Sequence, residues 1–119
     1  MILAYFFGPR RKQVPALDEL SVLQPHDAIR IWRVGNPGLV DKAWPIIGDL
    51  PAWDRAKWLT PQFMRKVELG RTAWCVTRSD DDPSKVLKEE RIPYGTSGME
   101  IDTFYGQRAA ELALSHILP

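Results

Sequence analysis

FMRKVELGRTAWCVTR (63–78) consists of two strand-length runs hinged on Gly70-Arg71. In the first run Phe63, Val67 and Leu69 have the same parity, so an extended chain puts them on one face. Trp74 and Val76 do the same in the second. Two alternating runs joined by a glycine-containing turn predict an antiparallel hairpin. Working outward, DDDPS (80–84) is a turn signal, because aspartate bonds to its own backbone and Pro83 fixes φ. KVLKEERI (85–92) then reads as a third strand. Val86, Leu87 and Ile92 are its few apolar contacts, and its charges suit an exposed edge that resists stray pairing.

The N-terminal half continues the pattern. ILAYFF (2–7), closed by Gly8-Pro9, is an apolar run expected to be a buried strand. AIRIWRV (28–34) is apolar on both faces, as in a strand covered on both sides. Between them ALDELSVL (16–23) allows one or two helical turns after Pro15, with Leu17, Leu20 and Leu23 inward. Gly35-Asn36-Pro37-Gly38 predicts a turn, and AWPII (43–47) a short extended piece at an edge, since Pro45 has no amide to donate. The tail predicts a helix over about 104–118: Ala110, Ala113, Leu114 and Ile117 fall at helical spacing, and Asp102 or Thr103 is placed to cap it. The sum is a single α+β domain over residues 1–119, with a mainly antiparallel, curled sheet, short helical turns and a C-terminal helix.

WPIIGDLPAWDRAKW (44–58) fits neither periodicity and holds three of the five tryptophans. Where no backbone ladder fixes a chain, large rings driven into a core can do so, each burying roughly 150–250 Å². Trp44 and Trp53 are therefore expected to turn inward. Trp58, beside Lys57 near the end of the loop, is expected to face a partner together with Arg55, since tryptophan and arginine are common interface anchors. Asp54 is expected to start one helical turn.

Composition excludes extremes. At 45% apolar and 26% charged, the chain resembles an ordinary folded domain, and net charge is +1. Residues 1–78 carry 12 Lys/Arg against 7 Asp/Glu, and residues 79–119 carry 4 against 8. Neither half is charged enough to demand nucleic acid or membrane. Cys75 is the only cysteine, so no internal disulfide forms, and no apolar run approaches membrane-spanning length. The apolar start precedes its charges, the reverse of a secretory signal, so a cytoplasmic location is expected.

AYFFGP (4–9), LDEL (17–20), WPIIGDLPAWDRAKW (44–58), DDDPSKV (80–86) and YGQRAAELALSHIL (105–118) resemble, in this order and with similar spacing, the immunity protein 26 family of bacterial polymorphic toxin systems. The resemblance implies a protein that binds and neutralises a cognate toxin, with no catalysis of its own. It supplies no toxin-contacting residue. It also implies an extra hairpin ahead of the AYFF strand, and this sequence begins almost at that strand, as a short or a truncated member would. The edge of that strand is then expected to be free for strand addition, a homodimer included.

The residues themselves supply the candidate contacts. Asp80, Asp81 and Asp82, with Glu89 and Glu90, form an acidic patch suited to a basic partner; a nuclease toxin would be one. With Arg55 and Trp58 they make up the expected partner-binding set. A metal is not expected, because DDDPSKVLKEE lacks the alternation and glycine of a calcium loop. Cys75, His26 and His116 come with no nucleophile elbow or oxyanion-hole glycines, so neither enzyme activity nor a cofactor is expected. The alternatives are a general protein-interaction module, or a nucleic-acid-binding module on Arg10, Arg11, Lys12, Arg30 and Arg33. Arg30 and Arg33 point to opposite faces of their strand, which splits the second of these.

Overall fold

In the computed structural model, which describes residues 1–51 and 53–118, the 63–78 hairpin forms as its alternation predicts. Strands β3 (Phe63–Val67) and β4 (Thr72–Arg78) pair antiparallel, with Phe63 opposite Val76 and Arg65 opposite Trp74. Gly70 and Arg71 take φ of 87° and 51°, so the turn needs the left-handed conformation that glycine supplies at no steric cost. Leu69, expected on one face of the strand with Phe63 and Val67, belongs to this turn and is 92% exposed. β5 (Val86–Ile92) pairs with the far side of β4 and is an edge, as its charges predict.

The strands divide between two open sheets. β1 (Ile2–Phe6) pairs antiparallel with β2 (Arg30–Val34). Near the C-terminus two short strands join in parallel: β6 (Glu100–Ile101) beside β3, and β7 (Phe104–Tyr105) beside β2. The sheet orders are β1-β2-β7 and β5-β4-β3-β6. Residues Asp102 and Thr103 carry the chain from one sheet to the other.

Three short helices and a 3-10 turn complete the chain. α1 (Leu17–Leu20) and the 3-10 turn Pro25–Asp27 link β1 to β2, with Leu17, Leu20 and Leu23 half-buried as expected. α2 (Pro37–Val40) follows β2. No strand forms at 43–47, contrary to expectation; Pro45 offers no amide to a ladder, and residues 45–50 remain irregular. α3 (Gln107–Ile117) starts later than expected because Phe104 and Tyr105 pair with β2. Gly106 occupies its N-cap position without a side-chain cap, so Asp102 and Thr103 do not cap it.

Asp102 has a different task. Its backbone amide donates to Met64 in β3 (2.9 Å), and its carboxylate lies between two arginines. Arg78 of β4 grips it with both Nε (2.8 Å) and Nη2 (2.9 Å), and Arg33 Nη2 of β2 reaches it at 3.1 Å. All three side chains are more than nine-tenths buried. One carboxylate thus ties the two sheets together. Burial pulls the Arg33 pKa down and Asp102 pulls it back up. Arg33 therefore does not contribute to a surface basic patch, contrary to the nucleic-acid alternative.

The apolar core is correspondingly modest. Trp32, Val34 and Ala110 are buried at the junction of the first sheet and α3, with Phe6, Trp44, Tyr105 and Leu114 around them. Trp32 stacks on Tyr105 (4.3 Å between centroids). Phe63, Met64, Ala73, Cys75 and Val76 are the buried residues of the second sheet. The Cα radius of gyration is 15.5 Å, against about 13.5 Å for a compact chain of this length. No helix is long and apolar enough to cross a membrane.

Candidate partner-binding surface

The tryptophan-rich connector runs from α2 to β3, and its rings divide differently from expectation. Trp44 turns inward as expected. Its ring lies so close over Gly38 that a Cβ there would sit 2.5 Å from it, and its Nε1–H donates to Glu111 of α3 (3.1 Å). Trp53, also expected inward, is 52% exposed. Trp58 takes the stapling role instead: it is half-buried and meets Tyr5 of β1 edge-on (5.0 Å, 82°), with Phe7 at 6.2 Å. The reason is local. The Asp54 carboxylate accepts from the Ala56 amide (3.0 Å) and its carbonyl accepts from the Lys57 and Trp58 amides, closing one turn. Across that turn Trp53 and Trp58 lie five residues apart, and only Trp58 is carried against β1.

Arg55, inside this turn, points to the 79–85 turn. Its Nη2 donates to the Asp80 carbonyl and pairs with the Asp81 carboxylate at 3.2 Å. Asp80 in turn accepts from the Thr60 amide (2.7 Å). That hydrogen bond holds the Asp80 carboxyl below the usual carboxylate range, with a smaller contribution from Arg55. The Tyr5 hydroxyl donates to the Leu59 carbonyl; burial first, and Asp80 second, push its pKa up. Leu3, Tyr5, Trp53, Arg55, Thr60 and Asp80 line a depression of about 240 Å³ together with Trp58. A larger apolar cleft, about 620 Å³, also lined by Trp58, opens beside Phe7 and the α1 leucines.

Of the expected contact set, Arg55, Trp58, Asp80 and Asp81 therefore meet at one place. Asp82 looks inward to its own turn: it accepts from the Ser84 amide (3.0 Å) and hydroxyl (2.5 Å), which lowers its pKa. Ser79 Oγ accepts from the Asp81 and Asp82 amides, so the turn reading of DDDPS holds. Glu89 and Glu90 do not join the aspartates. As neighbours on β5 they face opposite sides of the sheet, Glu89 pairing with Arg65 (2.9 Å) and Glu90 with Lys88 (2.8 Å). Leu3, Tyr5 and the exposed Trp53 are the members that sequence reasoning missed. Long-range contact, and not spacing, brings them together.

The second sheet carries another cluster. Trp74 lies between the guanidinium groups of Arg65 (6.0 Å) and Arg91 (5.8 Å). Tyr94 lies between Lys66 and Arg71, each at 5.2 Å, and its hydroxyl bonds to Glu68. Among the described residues no group of three or more His, Cys, Asp or Glu is gathered for a metal. Cys75 is buried in β4. No protein-family model, curated protein or solved structure matches this chain.

Proposed function

We propose that the chain is an immunity protein that binds one bacterial toxin domain and blocks it by occlusion, without chemistry of its own. The resemblance in its landmark motifs suggests the class. The observation that carries the reading is the convergence of Trp53, Arg55 and Asp80 around one depression, with Asp81 paired to Arg55. A half-exposed indole beside an exposed ion pair, on a surface held by Trp58, matches the anchor-and-rim composition of binding hot spots. The acidic side of that rim is Asp80, with Asp81 beside it on Arg55.

Co-expression with the toxin domain encoded beside this gene tests the proposal. Growth is rescued by the wild type. Trp53→Ala and Arg55→Ala weaken binding tenfold or more, about 1.4 kcal/mol or above, with little change in melting temperature. Asp81→Lys slows association at low salt. Toxin binding unaffected by all three moves the contact elsewhere, and absence of rescue removes the class.

A second reading rests on the cation-flanked Trp74 and Tyr94, the combination used to stack single-stranded nucleic acid. It moves the nucleic-acid site from the N-terminal half to the hairpin. Binding to an oligonucleotide that weakens steeply with salt and is lost in Trp74→Ala would support it; no binding at moderate salt dismisses it.

A further inference from the structure

We infer that β1 is a dimerisation strand: two copies of this chain pair β1 against β1 in antiparallel register, fusing their first sheets into one of six strands. The inference does not rest on the toxin reading, although Leu3 and Tyr5 also line the depression assigned to the toxin.

β1 is the outer strand of its sheet, and all five of its residues are half-buried, whereas Trp32–Val34 of β2 are buried. Both faces of β1 are covered: Ile2, Ala4 and Phe6 by the core, Tyr5 by Trp58. What remains open is the ladder edge. The Phe6 carbonyl accepts from Ile29 on the β2 side (2.7 Å). In an antiparallel ladder the in-plane groups alternate, so Leu3 and Tyr5 direct their amides and carbonyls outward. Among the described residues no backbone or side-chain group bonds to them there.

The chemistry of the edge favours a second copy. MILAYFF (1–7) has no charged side chain and no proline, so none of the usual guards against pairing is present. A two-fold axis at Ala4 sets Leu3 of one copy opposite Tyr5 of the other, twice, and each pair closes both of its ladder bonds. The same axis brings Met1, 44% exposed, opposite Phe7 at the rim of the larger cleft. Area supports association as well. The chain exposes 8122 Å², against about 6,600 Å² for a compact monomer of its mass. The excess, about 1,500 Å² per copy, exceeds the roughly 800 Å² that each partner of a standard interface buries.

Sedimentation across a wide concentration range tests the inference, with hydrogen exchange of the Leu3 and Tyr5 amides followed in parallel. The wild type is expected to sediment as a dimer at high concentration. Both amides should then be slowed tenfold or more relative to dilute protein, while the β4 amides of Ala73 and Val76 are unchanged. Leu3→Pro removes one outward amide and is tolerated at a free edge; Leu3→Lys adds the charge that guards natural edges. Each is expected to give a monomer with wild-type near-ultraviolet circular dichroism. If either variant unfolds, the exchange data on the wild type decide. Concentration-independent, unprotected Leu3 and Tyr5 amides overturn the inference. So does a monomer at every concentration, a dimer that persists in both folded variants, or protection that arises only with a toxin strand.

Discussion

The two sheets end in edges of opposite character. β5 carries Lys88, Glu89, Glu90 and Arg91 in sequence, whereas β1 carries no charge at all. Both are outer strands with half of their backbone groups unpaired in the sheet. A charged edge makes an incoming strand desolvate or confront like charge, and an apolar uncharged edge imposes no such cost. The difference shows that charge guards one outer strand of this fold and is absent from the other.

The largest expected effect falls on what holds the two edges in one body. Asp102→Ala leaves Arg33 and Arg78 buried without their shared carboxylate. Urea unfolding should show a loss of about 3–5 kcal/mol, or separate transitions for the two sheets. A loss under 1 kcal/mol would mean that the node is not what couples them. Next comes Trp58→Ala, which strips the cover from Tyr5 and Phe7 and should cost about 2 kcal/mol. Trp53→Ala should cost about 0.5 kcal/mol or less, and equal losses for the two would contradict the division of the rings. Removing the guard from β5, with Lys88→Val and Glu90→Val together, should leave stability within about 1 kcal/mol, since the ion pair is exposed. It should nonetheless create a new self-association visible by light scattering; continued monodispersity would show that charge is not what keeps this edge free.

The smallest effect concerns acid. Asp80 has its carboxyl held below the ordinary range by the Thr60 amide. A depressed folded-state value means that its contribution is present above about pH 4, the unfolded value, and fades as pH falls through the folded one. A modest change in the Trp58 environment is therefore expected below about pH 4, read as near-ultraviolet dichroism. Asp80→Asn should show the altered signal already at neutral pH, and a wild-type spectrum there would remove Asp80 from the connector's support.

Much of the fold was legible because alternation is local. A period of two in 63–69 and 72–78, and a helical period from Ala110 to Ile117, each need only neighbours in sequence. The connector has no period, so nothing local told Trp53 from Trp58; the partition followed from the Asp54 turn and from Tyr5, which is far away in the chain. Asp102-Thr103 ahead of a helix has the composition of a cap, but two distant arginines compete for the carboxylate and take it. The acidic set failed for a local reason that the sequence did contain: Glu89 and Glu90 are adjacent on a strand and must diverge.

By itself the sequence determined the five longer strands β1 to β5, the hairpin, the C-terminal helix and the contrast between a charged and an uncharged outer strand, since side-chain pattern along an extended chain dictates these. The tertiary structure alone decided which indole is exposed, that Arg55 meets Asp81, and that one buried carboxylate joins the sheets. Those outcomes depend on contacts between residues far apart in sequence, where burial and charge pairing outweigh local preference.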